Sequence, residues 1–483
     1  MSRCALSARL LRWGAIAAGT LALCRTAPVV DGYSHARYGG VVRVSVPEAV
    51  TSLDPSSCRD AADTVVFDLL FHRFFEKGPD GQPLSSLFEA RREADRWVFV
   101  PRKMNATNGS RLGADEFRMC LQRGLARESF VTTLAREMIR GGSTFAPGTP
   151  LDAFVSEPDG SFALLTNGSQ PLLPYVLSRP PFYLYVTADG QFYGNGPFGV
   201  ASGQAAESEL RLVANDGDPA GAPYVQQVIV DWAGASGEVA AEVEEPRGEA
   251  GIQRLTRGGF PLTLLLCLNR STRLFSQVEA RRNFIASVKP DRIRLPRGRG
   301  MATPGCAYLP VELGGASMVT ALPPTSQAPL PAVRVMLRDG PFSAAVLAAA
   351  FPPGTEFDAV APGEFETRRS SGDYQALLEL YQHKFTHAAL DLREMLSRLH
   401  LFDPAILDAS NRASEAMLME ERALVVRTIQ AAQKSLAESG LVFPLCEFTP
   451  AVKVDSRLHD LTVDRRWNLD LADCWIEAGN AVH

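Results

Sequence analysis

The sequence predicts an α/β protein built from more than one lobe. Three observations carry this. The chain has 483 residues, more than a single hydrophobic core usually organises. Segments with strand alternation and segments with helical periodicity interleave along its length. No internal repeat is visible, which argues against a solenoid or propeller. Hydrophobic residues make up 46 % and charged residues 21 %, with a net charge of -5. That balance suits a folded domain and gives no basic face for a nucleic acid.

The N-terminus reads as a separate object, a signal peptide over residues 1–24. Arg3, Arg9 and Arg12 precede an apolar run from Trp13 to Leu23. Basic residues ahead of about ten apolar ones form a secretory signal, too short to span a bilayer comfortably. The alternative is a buried N-terminal helix. Cys24 follows Leu21-Ala22-Leu23, similar to a lipoprotein site in which the cysteine becomes the lipidated first residue. A small residue is expected before that cysteine, and Leu23 is large, so simple cleavage after Ala22 or Ala36 stays open. No later segment reaches the ~18 apolar residues of a transmembrane helix. The mature chain is therefore expected to be soluble or anchored only at its start, in the periplasm or cell envelope.

The elements then follow in order. Val42 to Val46 alternate as a strand. A helix is expected from about Thr64 to Phe75, ending before the turn signal Gly78-Pro79-Asp80-Gly81. Trp97 to Val100 reads as a strand, and Ala114 to Leu125 as a helix with Asp115 and Glu116 in its first turn. Ser161–Leu165, Glu209–Val213 and Val225–Val230 read as strands. Ala233 to Gly251, rich in Gly, Ala and Glu, reads as a surface insertion. Pro296 to Pro331 reads as mostly loop. Leu418, Val425, Ile429, Ala432 and Leu436 fall on one helical face, with Gly440 placed to end the helix in a left-handed conformation.

There are eight cysteines. Setting aside Cys4 and Cys24 leaves Cys58, Cys120, Cys267, Cys306, Cys446 and Cys474. Export permits disulfides, and spacing does not give their pairing; free buried thiols are the alternative. No C-x-x-C pair suggests zinc or thioredoxin-like chemistry.

Several motifs follow one another along the chain: Tyr38-Gly39-Gly40 before a strand, Ser52-Leu53-Asp54-Pro55, the turn from Gly78 to Leu84, and Trp97-Val98-Phe99. They continue with Asn108 to Phe117, Pro171 to Tyr175, Asn195-Gly196-Pro197-Phe198, Asn269 to Ile285, Gly372-Asp373-Tyr374, and the tail from Val442 to Asp470. Their order resembles the extracellular solute-binding proteins of oligopeptide, dipeptide and nickel ABC importers (family 5). The resemblance implies a periplasmic-binding-protein-like fold: two α/β lobes on a hinge, with an extra domain inserted in the first. Lobe I is expected over 37–66, 186–245 and 443–483, the insertion over 67–185, and lobe II over 246–442. It further implies a monomeric receptor, not an enzyme, that closes around a peptide or related small solute and presents it to a membrane permease, without a cofactor.

Ligand positions carried over from the family are Cys58, Arg59, Asp60 and Ala61 on one lobe. On the other they are Tyr381, Gln382, His383, Lys384, Phe385 and Thr386. Peptide binders of the family hold an aspartate that pairs with the ligand's α-ammonium in a Trp-x-Ala-Asp-Tyr context. Here Lys384 occupies that place. Together with Arg59 it points to an anionic or carboxylate-bearing ligand. The alternative is that both cations face solvent.

Two other constellations are set aside. Glu379, His383, His387 and Asp391 recur every four residues, which on a helix would suit a metal. The family alignment instead makes this stretch a strand end and a loop, which breaks the spacing. Seven histidines are present, but none falls in a recognisable catalytic motif. Asn-x-Ser/Thr sequons at Asn105, Asn108, Asn167 and Asn269 are chance-level patterns. An envelope interaction protein that no longer transports remains the second reading.

Overall fold

The computed structural model describes residues 36–477, apart from 38, 47–48, 59–60, 79–81, 207, 233–239, 245–252, 257–261, 296–300, 305–306, 311–312, 314–331, 339–341, 400–402, 450–451 and 464–468. Three sheets organise them. The first has seven strands, in the spatial order Phe198–Ala206, Glu209–Ala214, Gln227–Asp231, Val41–Ser45, Ala240–Glu244, Val452–Asp455 and Gln253–Thr256. Val42 and Val44, on one face of their strand, are fully buried. Gln227–Asp231 lies parallel to them in register, Val228 opposite Val42 and Val230 opposite Val44.

The second sheet has six strands, in the order Met301–Pro304, Val442–Thr449, Leu262–Leu268, Ala376–Gln382, Val333–Arg338 and Thr355–Val360. Its strand Leu262–Leu268 reads Leu-Thr-Leu-Leu-Leu-Cys-Leu and is buried along nearly its whole length. A continuous apolar run is what a strand covered on both faces needs. Alternate residues feed different cores. Leu264, Leu266 and Leu268 join Phe284, Leu347 and Phe351. Leu265 and Cys267 belong to the larger core that also holds Leu390, Leu392 and Ile429 and continues to Val42 and Val44 of the first sheet. That second face is covered by helices Ala388–Arg398, Pro404–Met417 and Arg422–Ser439.

The third sheet, Phe88–Arg92, Arg96–Pro101, Phe162–Leu165 and Phe154–Ser156, lies in the middle of the first half of the chain. Helices Ala114–Leu125 and Phe130–Met138 accompany it. Phe74, Phe88, Phe99, Phe117, Phe154 and Phe162 pack ring on ring, with Phe74–Phe117 centroids at 4.1 Å and Phe117–Phe162 at 4.6 Å. Such pairs add to simple burial.

Three local expectations change. The first helix is Ala61–Leu70, not Thr64 to Phe75. The following residues leave it to bury Phe71, Phe74 and Phe75, and Arg73 bridges to Tyr183. Within Ala233–Gly251, strand Ala240–Glu244 is no surface insertion. It pairs antiparallel with Val41–Ser45 inside the first sheet, with Ala241 fully buried. Alternation over five residues in a Gly/Ala/Glu-rich stretch is too weak a signal to stand out. Leu418 does not join the helical stripe. It caps Pro404–Met417 and is 63 % exposed, while Val425, Ile429, Ala432 and Leu436 of Arg422–Ser439 are buried. Gly440 ends that helix at φ 62°, a left-handed conformation that glycine adopts without strain.

Cys58, Cys120, Cys267, Cys446 and Cys474 are free thiols; Cys306 lies outside the described residues. Burial pushes the Cys58 and Cys446 thiols up to about 12. No described helix is long and apolar enough to cross a membrane. The expected signal peptide and Cys24 lie outside the described residues.

Candidate functional site

Strand Ala376–Gln382 runs antiparallel to Leu262–Leu268, with Tyr381 opposite Thr263. Residues 383–387 leave its end and turn into helix Ala388–Arg398. Glu379 is therefore on a strand, His383 and His387 are in the loop, and Asp391 is on a helix, so the four-residue spacing builds no common face. No metal-binding group of three or more His, Cys, Asp or Glu side chains exists among the described residues.

The loop is fastened by one carboxylate. Asp391 is completely buried. Its Oδ1 accepts from the backbone N–H of Lys384 at 2.9 Å and of Phe385 at 3.1 Å. Its Oδ2 stands 2.5 Å from His383 Nδ1. A carboxylate only accepts, so Nδ1 carries the hydrogen. The Thr263 hydroxyl, 2.8 Å from Nε2, can then donate to the ring. The Tyr381 hydroxyl donates to the Asp391 carbonyl at 3.1 Å, and burial pushes that phenol well above its ordinary pKa. Thr263, His383 and Asp391 thus form a hydroxyl–imidazole–carboxylate chain. Each is 1 % exposed or less. No solvent-accessible nucleophile results, so the chain fixes the loop and offers no hydrolytic chemistry.

Lys384 turns its ammonium inward. Nζ lies 2.9 Å from Glu394 Oε1; the Lys384 side chain is 30 % exposed and that of Glu394 5 %. The cation standing where the resemblance expects an acidic residue is compensated from within the same lobe. Behind it, Glu379 takes Arg369 and Arg398, each at 3.2 Å.

The loop also meets the domain of the third sheet. Phe385 is buried with its ring edge-on to Phe130 at 6.4 Å. His387 stands edge-on to Tyr175 at 5.5 Å. Burial lowers the His387 pKa to about 4, and its Nδ1 is buried without a hydrogen-bond partner. Arg393 reaches across to both Glu137 oxygens, at 2.8 and 3.2 Å, and Arg92 pairs with Glu420 at 2.8 Å. Residues from two parts of the chain far apart in sequence therefore meet along one seam.

Tyr381, His383, Lys384 and Phe385 are thus gathered at this seam, with Gln382 and Thr386 half-buried beside them. The other expected half is less complete. Arg59 and Asp60 lie outside the described residues, and Ala61 opens helix Ala61–Leu70. Cys58 Sγ sits 3.4 Å from Thr64 Oγ1. Its raised pKa keeps it a thiol. The neighbouring Asp54 ties this turn to the third-sheet domain through Arg123 at 3.0 Å and Arg127 at 3.2 Å. No described hydrogen bond or ion pair joins Cys58 to 381–386. Sequence reading missed Thr263, Asp391 as the loop's anchor, and Glu394 as the partner of Lys384. No period signals the last, since Lys384 follows a strand end and Glu394 lies inside the next helix.

No family model and no curated protein matches the sequence. Solved structures do match its fold over nearly all their length. The oligopeptide binding protein 2 of clavulanic acid biosynthesis aligns at TM-score 0.70 and 15 % identity, over 92 % of this chain and 96 % of its own. The murein tripeptide binding protein MppA of Escherichia coli aligns at 0.68 and 14 %, over 92 % and 99 %. The periplasmic binding protein DppA of Helicobacter pylori, in complex with peptide STSA, aligns at 0.64 and 12 %, over 92 % and 99 %. The expected two-lobed periplasmic-binding-protein-like fold is therefore present, and these neighbours are peptide-binding proteins.

Proposed function

We propose that this protein is an extracytoplasmic solute receptor. It captures a peptide or related small solute between its lobes and hands it to the permease of an ABC importer as a monomer. The observation that carries the reading is agreement of its fold, over 92 % of the chain, with solved structures of peptide-binding proteins. Export through the first 24 residues, with lipid on Cys24 or simple cleavage, belongs to the same proposal. Strand pairing favours drawing the first lobe through Thr256 and the second from Leu262 through Thr449, with the insertion between helix Ala61–Leu70 and strand Val186–Ala188.

The solute end that meets Lys384 is acidic or blocked. An α-ammonium placed there would face a cation already paired with Glu394. A ligand carboxylate can share the 30 % exposed ammonium, and hydrogen bonds to charged groups contribute about 1.5–3 kcal/mol. The test titrates matched peptides with free and acetylated amino termini against wild type and Lys384→Asp. Wild type is expected to prefer the acetylated form, and Lys384→Asp, which sets two carboxylates side by side, to reverse that preference about tenfold to hundredfold. Tight binding of the free-amine peptide by wild type, unchanged in Lys384→Asp, overturns the assignment.

A second reading is an envelope interaction protein that no longer transports. The observation favouring it is the seam itself, where Phe385 on Phe130, His387 on Tyr175 and Arg393 on Glu137 close the two parts on each other's side chains.

A further inference from the structure

The first sheet ends in an edge strand, and a cavity lies against it. Among the described residues, Phe198–Ala206 is last in the seven-strand order and pairs only with Glu209–Ala214. The Asn215 N–H donates to the Pro197 carbonyl at 2.9 Å. That ladder bond makes Phe198/Ala214 and Val200/Leu212 the non-hydrogen-bonded pairs. The N–H and C=O of Val200 therefore point to the outer edge, where no described backbone or side-chain group meets them. Unpaired edges of this kind are templates for another strand.

Alongside runs a cavity of about 790 Å³, lined by Leu53, Phe71, Thr107, residues 190–194, Phe198–Ala201 and residues 213–216. That volume is within the range of small-ligand sites, roughly 300–1,000 Å³. No residue of the second sheet or its helices lines it, so it is separate from the seam around Lys384. Two exposed apolar side chains flank this edge on opposite faces of the sheet, Val200 at 39 % beside Leu212 and Val213 at 42 % beside Gly199. The backbone around it is pinned. A Cβ on Gly194 would stand 2.2 Å from the Leu70 carbonyl oxygen, and one on Gly196 2.6 Å from the Leu70 carbonyl carbon. The loop is thereby held against the end of helix Ala61–Leu70. Among the described residues, the one charged group lining it is Asp216, which is exposed.

We propose that this cavity is a second peptide site. A short extended segment adds to the outer edge at Val200. One or two apolar side chains rest on Val213 and on the half-buried Phe192 and Tyr193, and a lysine or free amino terminus sits near Asp216. The free edge supplies the main-chain pairing of strand addition, the cavity selects for apolar side chains, and the carboxylate selects for positive charge. The preference is opposite in sign to that proposed at Lys384, so the two sites respond to different peptides.

The probe is the free-amine tetrapeptide Lys-Val-Phe-Val. Hydrogen–deuterium exchange on the full chain reads where it binds, and calorimetry reads how tightly. Slowed exchange is expected across 198–201, with the 383–387 loop unchanged. Val200→Pro removes the outward N–H without removing a ladder bond and is expected to weaken binding at least about tenfold. Asp216→Lys, an exposed substitution that keeps the edge intact, serves if Val200→Pro fails to fold and is expected to weaken binding by a similar factor. Absence of protection at 198–201 at millimolar peptide overturns the proposal. So does affinity unchanged in Asp216→Lys, or protection confined to 383–387, which assigns the peptide to the seam alone.

Discussion

The aromatic core around Phe117 and the polar network around Asp391 are both buried, yet they are held by different physics. Around Phe117, phenylalanines meet at 4.1–6.2 Å, ring against ring. Their stabilisation depends on volume and contact, and neighbouring rings can adjust. Around Asp391, one carboxylate serves two backbone N–H groups and an imidazole. Each bond is individually modest, but each group left unmatched in so buried a place is expensive. The first region should tolerate change of shape, and the second should tolerate almost none.

Truncation should hurt both. Asp391→Ala leaves His383 and two backbone N–H groups without an acceptor and is expected to lose about 3–5 kcal/mol. Phe117→Ala, which opens a hole among the rings, is expected to lose about 3–5 kcal/mol. Equilibrium denaturation with urea measures both, using two probes to check that a single transition is seen. Conservative replacement should separate them. Asp391→Asn keeps the shape but turns an amide donor toward another donor, and about 1–3 kcal/mol should go. Phe117→Met keeps an apolar side chain of similar reach and should cost under about 1.5 kcal/mol. Equal losses in these two variants would erase the distinction.

A smaller effect should come from acid. His387 is packed against Tyr175, and burial holds its pKa at about 4 against the ordinary 6.5. Between those values the unfolded chain binds a proton that the packed chain excludes. Stability contributed by this residue is therefore whole above pH 6.5, falls as the pH drops toward 4, and levels off below that. Denaturation midpoints at pH 7 and pH 4.5 should differ more in wild type than in His387→Phe. An identical difference in both removes His387 from the account.

The same contrast explains how much the sequence revealed. Helix Ala114–Leu125 was legible to its ends because its apolar period and its first-turn acids agree. Strand Val41–Ser45 was legible likewise, since the alternation of Val42 and Val44 matches the face it buries. The resemblance grouped Tyr381 to Phe385, which run from the end of strand Ala376–Gln382 into the turn behind it. What stayed hidden depends on partners that no period encodes. Glu394 neutralises Lys384 only because a loop and nearly two helical turns bring it back. Thr263 reaches His383 only through strand pairing between segments 120 residues apart. Ala240–Glu244 was hidden differently, since its central place is set by the flanking strands more than by its own side chains.

The central claim, that the lobes enclose a solute, has a direct test. The protein is purified gently from its own host and weighed by nondenaturing mass spectrometry, before and after denaturation. The account predicts an excess mass that denaturation releases as one or more small peptides or peptide-like solutes. Those solutes, added back, should raise the melting temperature in proportion to their excess over the dissociation constant, about 2.7 kcal/mol at a hundredfold excess. A protein that is empty from every growth condition, and that no peptide of a broad library stabilises, would contradict the claim.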